Sequence, residues 1–514
     1  MLKRWCQLLL PILLLAACTR VPSPPPTTPT PSPLPASPTQ PFIAAASETV
    51  PESATLQPSP ATGTPAVAAM PIPTPAGPPT DTYTVREGDT LSGIAYYQCG
   101  CDVEELMTLN HIADASQLQA GQPLQIPITA DHTGPALHLL PDSEVVYSPA
   151  YLDFDVAGFV AQQGGYLTHY RERVSGRERS GAELVEMVAR NFSVGPRVLL
   201  ALLEYQSGWV TGTPKSQVEI NSPMSLGHGG QAGLYFQLGW AANEINYGYY
   251  GYKRTGTVAF TFADRTRALA AQGLNAGTVG IQNVLAVTSS WTAWQAAVDR
   301  QGFLRTYETL FGDPHPRAVE PLIPADLVQP ELLLPWPGGL TWYLSGGPHG
   351  AWFSGSAWAA VDFAPPDVRG HCGVSGEWAT AAAAGTVIRS GDGQVLIDLD
   401  GDGYEQTGWV LFYLHMADEG HVAAGTQVAR GDRVGHPSCE GGLAESSHLH
   451  IARRYNGEWI AADGPVPMVL SGWRPVNGLA EYEGTLVTGS EVRQACECWD
   501  EKVNGIVSDN VAAP

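Results

Sequence analysis

The chain has 514 residues, and 27 Lys and Arg against 50 Asp and Glu give it a net charge of −23. That length allows several domains of ordinary size. The acidic balance argues against nucleic acid as a partner, because phosphate binding needs clustered Lys and Arg. It also excludes bulk charge as a means of adhering to an anionic envelope.

The first eighteen residues read as an export signal. Lys3 and Arg4 open it, and the apolar run from Leu8 to Leu15 is too short to span a bilayer. The run ends in "LAAC", whose small residues before Cys18 resemble the lipobox of bacterial lipoproteins. The resemblance makes Cys18 the lipidated first residue of the mature chain. It places the protein in the cell envelope, extracytoplasmic, lipid-anchored to a membrane and facing the wall. An ordinary cleaved signal is the plainer alternative. Of eight cysteines, Cys99, Cys101, Cys372, Cys439, Cys496 and Cys498 remain after Cys6 and Cys18 are set aside. An even set outside the cytoplasm suits disulfides, with the connectivity open. The close pairs Cys99/Cys101 and Cys496/Cys498 could bind a soft metal, but no Cys/His cluster has zinc-finger spacing. Residues 19–80, as in "VPSPPPTTPTPSPLPASPTQP", are too poor in apolar side chains to fold. Their prolines make a semi-stiff tether that lets the rest reach a thick polymer.

Residues 81–128 form the first folded unit. "TYTV" and "QPLQI" alternate like strands, and "TLSGIAYY" and "VEELMTLN" read as short helices, with Thr90 as an N-cap after a Gly-Asp turn. The set "YTVREGDTLSGIA", "LN" and "LQAGQPLQIP" resembles a LysM domain along the whole stretch. The resemblance implies binding of N-acetylglucosamine-containing glycans in a groove of Gly88, Asp89, Thr90 and Leu91, with Ile112 and Ala113 opposite. Cys99 and Cys101 stand outside the usual bacterial pattern.

Residues 150–322 read as mainly helical: "GAELVEMVARNF", "GPRVLLALLEYQSGWV", "RTRALAAQGLNA" and "WTAWQAAVDRQGFLRTYETLF" carry helical apolar spacing. "FSVGPRVLLALLEYQSGW" and "QAGLYFQLGWAA" resemble lysozyme-like lytic transglycosylases. That family places its catalytic Glu before a Ser-Gly, where this chain has Gln206, and an amide has no proton to give. Glu204 would face another direction on a helix. A degenerate lysozyme-like wall-binding or spacer domain is the plainer reading.

Residues 330–514 are β-rich. "GTVIRS", "GQVLIDLD", "GWVLFYLHM" and "SHLHIARRY" are short strands bounded by turn residues. Residues two apart in a strand share a face, so His448 and His450 project together, and Tyr413 and His415 are expected to do the same. Buried unpaired imidazoles lose hydrogen bonds, whereas a catalytic zinc takes three protein ligands and leaves a position for water. His349, after a Gly-Gly-Pro turn, and Asp362, in the apolar "AAVDFA", supply what the strands lack. Together these stretches resemble the M23 family of zinc peptidases, lysostaphin-type or LytM-type. Most members place the first His four residues before the Asp, a position that Trp358 occupies here. The β-lytic subgroup uses thirteen, as between His349 and Asp362, and "CEGG" and "YNGEW" also match it. The resemblance makes His349, Asp362 and His450 zinc ligands. It makes His415 and His448 the pair that moves the proton of the attacking water and stabilises the oxyanion, with Tyr413 holding substrate. It implies hydrolysis of peptide bonds in wall cross-links. "DLDGDGYEQ" places Asp398, Asp400 and Asp402 like the start of a calcium loop, although position twelve is Trp409. A solvated hairpin turn is the alternative.

The expectation is a multidomain α+β lipoprotein: a βααβ LysM domain, a helical, lysozyme-like middle domain and an antiparallel β-rich M23 peptidase domain. Its cofactor is Zn2+, with Ca2+ as an addition, and its partner is peptidoglycan. The rivals are a non-catalytic peptidoglycan-binding or regulatory scaffold and a lytic transglycosylase.

Overall fold

A computed structural model of the protein describes residues 80–510 except 86–89, 96–98, 100, 116–117, 120, 128–129, 227–232 and 479. The export signal with Cys18, residues 19–79 of the tether, and Gly88 and Asp89 lie outside the described residues. Among the described residues no helix is long and apolar enough to cross a membrane.

The first unit is β1 (Thr80–Thr84), α1 (Leu91–Ile94), α2 (Val103–Leu109) and β2 (Pro123–Pro127), with β1 and β2 antiparallel. Leu91, Ile94, Leu106, Leu124 and Ile126 close its small core. Asn110 fastens α2 to β2: its amide donates to Leu106 O and Gln125 O, and its Oδ1 accepts from Gln125 N. Cys99 and Cys101 form a disulfide.

The helical part follows as β3 (His132–Thr133), α3 (Asp142–Val145), α4 (Val156–Gln163), the hairpin β4 (Arg171–Val174) and β5 (Arg177–Ser180), α5 (Gly181–Phe192), α6 (Pro196–Ser207), α7 (Gln217–Asn221), α8 (Leu234–Thr255), β6 (Ala259–Thr261), β7 (Arg267–Leu269), α9 (Ala276–Val287), α10 (Trp291–Ala297) and α11 (Phe303–Phe311). Its core takes in Leu139, Leu140, Val145 and Val146, so it begins before residue 150. Ser180 and Glu183 cap α5 reciprocally. "RTRALAAQGLNA" is a correction to the sequence expectation. Ala268 is buried in β7 between β3 and β6, and Gly273 at φ +80° ends any right-handed continuation before α9. The Glu204 carboxylate accepts from the Val210 and Thr211 amides and the Thr211 hydroxyl, and so closes the turn after α6.

Glu244 of α8 is mostly buried against α9. Burial pushes its carboxyl up to about 7, against the hydrogen bond from Asn283. A raised folded-state pKa stabilises the fold below the unfolded value of 4.5, and that contribution is lost as pH rises through about 7. Above pH 7 the charge costs on the order of 2 kcal/mol after allowance for partial exposure. Glu244→Gln keeps an acceptor for Asn283 and removes the charge. Thermal unfolding should show the variant several degrees more stable at pH 8 and not at pH 4; a lower midpoint at pH 8 contradicts this account.

The β-rich part contains β8 (Thr341–His349), β9 (Ala360–Ala364), β10 (Ala379–Thr380), β11 (Gly385–Gly391), β12 (Gln394–Asp398), β13 (Trp409–Leu414), β14 (Gln427–Val428), β15 (Arg433–Gly435), β16 (Leu449–Tyr455), β17 (Glu458–Trp459), β18 (Arg474–Asn477), β19 (Gly484–Thr488), β20 (Glu491–Gln494) and β21 (Gly505–Val507). The main antiparallel sheet runs β14-β11-β12-β13-β16-β9-β8-β21, with β17 beside β16. Strands such as "WVLFYL" read as unbroken apolar runs because both faces of the sheet are covered. One face sets Val395, Ile397, Leu411, Tyr413, Leu449 and Ile451 against Trp336 and Ala381–Ala383. The other sets Leu396, Val410, Phe412, Leu414 and Ala452, with Trp352 and Trp459, into the same core as Leu199, Leu238 and Ile245 of the helices. The helical and β-rich parts, expected as separate domains, thus share one hydrophobic core. Glu405, buried at their junction, pairs with Arg190 of α5 and with Arg389 and Arg454 of the sheet.

Candidate metal centre

Four adjacent strands assemble the site. Register sets Leu414 of β13 opposite His450 of β16, His450 opposite Asp362 of β9, and Asp362 opposite Gly346 of β8. The next pair on β8 is His349 with Ala360, so one extra residue bulges out and re-aims His349 towards Asp362. Gly346 is required by this approach, since a Cβ there would lie 2.6 Å from Asp362 Oδ2. His415 follows β13 at φ +61°, and that left-handed residue breaks the strand's alternation. Its ring comes to 4.5 Å from that of His448 and 6.1 Å from that of His450. Tyr413, expected on the same face as His415, is a correction. It keeps the strand's alternation and points into the opposite core, where its hydroxyl accepts from Ala382 N at 2.7 Å and donates to Thr380 O at 3.2 Å.

Hydrogen bonds to carbonyls set the tautomers. His349 Nδ1 lies 2.8 Å from Gly347 O, and His450 Nε2 lies 3.0 Å from Ala351 O. Carbonyls only accept, so these nitrogens carry the protons and the other nitrogen of each ring presents a lone pair. The two lone-pair nitrogens, His349 Nε2 and His450 Nδ1, face each other at 3.0 Å, and Asp362 Oδ1 is 3.4 and 3.2 Å from them. Asp362 Oδ1 is buried and accepts no hydrogen bond. Three inward lone pairs without a donor repel one another and are reconciled by a cation. The donors, all within 4.8 Å of one another, are of the type and number a catalytic zinc takes, each imidazole braced from behind by a carbonyl. His415 Nδ1 and His448 Nδ1 are braced in the same way by Glu440 O at 2.9 Å and Ser446 O at 2.8 Å. His448 Nε2 approaches Asp362 Oδ2 at 3.7 Å.

The electrostatics agree with this arrangement. Burial pushes His349 down to about 4, against the pull of Asp362, and burial followed by His448 and His450 pushes His415 down to about 3. Burial works to raise the Asp362 carboxyl, but attraction from His349, then His448 and His450, holds it well below the usual carboxylate range. Neutral imidazoles beside an ionised carboxylate are the states that metal ligands require.

Tyr482 and Glu481 were not foreseen. The Tyr482 ring stacks on His349 at 4.1 Å, and Glu481 accepts from Gly350 N at 3.1 Å. "AEYEG" has no ligand spacing to betray them. Cys372 and Cys439 form a disulfide close to the "SHLH" segment, where Ser447 Oγ accepts from Gly373 N at 2.9 Å. Cys496 and Cys498 form the third.

In the predicted glycan groove Thr90 and Ala113 are exposed and Ile112 is half-buried. Leu91 is a correction: its side chain is in the core, because the residue opens α1 on the helix's inner face. Asp398, Asp400 and Asp402 do cluster. Asp398 accepts from the amides of Asp400, Gly401 and Gly403, and Asp402 from Tyr404 N and Thr407 Oγ1. The carboxylates therefore shape a turn, and the turn delivers Glu405 to the arginines.

Comparison with known proteins gives matches along much of the chain. Residues 83–127 match the LysM domain, and residues 138–325 match the family described as LasA, N-terminal domain. The chain is 26% identical over 303 residues to protease LasA of Pseudomonas aeruginosa, a match covering 56% of this chain and 69% of that protein. It is 46% identical over 48 residues to N-acetylmuramoyl-L-alanine amidase XlyB of Bacillus subtilis, covering 9% of this chain and 15% of the amidase. Among solved structures, the M23 metalloprotease pseudoalterin aligns at 22% identity with a TM-score of 0.27, covering 33% of this chain and 96% of that one. The chain is LasA-like and carries a LysM domain.

Proposed function

We propose that this protein is a zinc-dependent endopeptidase of the bacterial cell wall, cutting peptide cross-links of peptidoglycan to which its LysM domain holds it. One observation carries the reading: His349 Nε2, His450 Nδ1 and the unpaired Asp362 Oδ1 converge with their lone pairs inward. These three residues would hold the zinc, which when bound supplies Lewis-acid polarisation of a peptide carbonyl. His415, held neutral by burial, accepts the proton of the attacking water at Nε2. His448 faces the same space through Nε2, with Nδ1 tied to Ser446 O, and in its imidazolium form it donates from Nε2 to the developing oxyanion. In the same reading Cys18 carries lipid, and the proline-rich tether spaces the enzyme from the membrane.

The test is release of new amines from purified peptidoglycan. A chelator should abolish release, and added zinc should restore it. Tight wall binding with no release across several cross-link types would instead mark a non-catalytic scaffold.

A further inference from the structure

An exposed helix face ordinarily carries polar and charged side chains. On α8, Phe236, Trp240, Asn243 and Tyr247 fall four, three and four residues apart, on one narrow stripe. Phe236 is 38% exposed and Tyr247 44%, while Trp240 and Asn243 are half-buried. The stripe is about 16 Å long and has no charged side chain, although the chain's net charge is −23. Solvent-facing aromatics in such a row mark an interaction surface.

The stripe joins the metal site. Asn243 Oδ1 accepts from Gly355 N at 2.9 Å, and Tyr247 bonds Ser354 Oγ at 2.6 Å, both in the segment that leads from His349 to Asp362. The segment crosses the stripe at Asn243, and just ahead of these anchors stands Phe353, 57% exposed and held at φ +57°. A bulky side chain in that backbone region is strained, and strain that persists points to use. Its ring stacks at 5.5 Å on Phe192, which packs against Gly239 of α8. Beyond the bulge at His349 lies Tyr482, also 57% exposed.

We infer that Phe236, Trp240, Tyr247 and Phe353 form a docking strip for the glycan strand of peptidoglycan, laid along α8 so that its attached peptide enters the metal site. This rests on the proposed function. Pyranose rings present flat C–H faces that stack on aromatic rings, and they are neutral, as the strip is. The stem peptides bear carboxylates and would be the poorer occupant. Asn243 and Tyr247 act as positioning residues, setting Phe353 and the ligand-bearing segment at the end of the strip.

The test uses the full chain and the double variant Phe236→Ala/Phe353→Ala, both side chains being exposed enough to spare the fold. Substrates are intact peptidoglycan and a sugar-free cross-linked peptide. The KM for peptidoglycan should rise about tenfold, with much less change in kcat and a much smaller loss on the peptide. Phe236→Tyr/Phe353→Tyr should restore the KM. An unchanged KM, or equal losses on wall and peptide, overturns the strip. Sedimentation with glycan strands stripped of peptide, with the LysM domain present throughout, separates the two readings. If the unaltered protein cleaves neither substrate but the variant still loses affinity for stripped strands, the peptidase reading fails and the strip stands. No loss of affinity for stripped strands overturns the strip.

Discussion

On the proposed function, Asp362→Ala is expected to lower amine release from peptidoglycan by more than about a hundredfold, the loss that disturbing the outer partners of metal ligands already produces. The carboxylate is the hub of the site, 3.2 to 3.7 Å from nitrogens of His450, His349 and His448. Without it two lone-pair nitrogens remain, one ligand fewer than a catalytic zinc takes. Elemental analysis of the purified variant should find its zinc lost. His448→Ala should behave differently, losing most of the rate while keeping zinc, because its Nε2 stands outside the three inward donors. Both variants should retain the circular dichroism of the unaltered protein. An Asp362→Ala protein with a near-normal rate would sink the metal centre. Loss of zinc from His448→Ala would make that residue a ligand instead of a proton-handling group.

Glu405→Ala costs about 3–5 kcal/mol of stability, the usual penalty for leaving a buried charge without its partner. Arg454 is buried and Arg389 half-buried, and each lies 3.3 Å from Glu405 Oε2. Burial pushes Arg454 down to about 9 even with the carboxylate present. Burial works to raise Glu405 itself, but attraction from Arg389, Arg190 and Arg454 holds it below 4.5. A depressed folded-state value contributes stability above the unfolded pKa, and that contribution disappears as pH falls through the folded one. The gap between Glu405→Ala and the unaltered protein should therefore narrow in acid. Denaturant unfolding at pH 7 and pH 4 measures both. A difference under about 1 kcal/mol at pH 7 would mean that water reaches the arginines.

Much of this was legible in the sequence, for identifiable reasons. His448 immediately precedes β16 and His450 lies within it, and alternation holds across the two, so their common face is legible in the letters. His415 could not be placed that way, because the left-handed turn that re-aims it is a single residue with no glycine to announce it. Strict alternation past Leu414 predicts a common face for Tyr413 and His415, and the left-handed His415 is the residue that departs from it. "RTRALAAQGLNA" misled because a short buried strand and a helix look alike over a few apolar residues. Tyr482 reaches His349 from more than a hundred residues away. Glu405 reads as part of a calcium-like loop, since nothing in the local sequence shows that three arginines converge on it. The shared core was hidden because a strand covered on both faces does not say what covers it.

That shared core makes α5 to α9 and the sheet one cooperative body in unfolding. Val410, Phe412, Ala452 and Trp459 have their burial completed by helices that lie earlier in the chain. Heat should therefore take both parts through a single transition. A truncation beginning near residue 330 would expose a broad apolar sheet face to water and invite self-association. A soluble β-rich fragment cut from this protein would need that face rewritten with polar side chains before its candidate metal site could be studied apart from the helices.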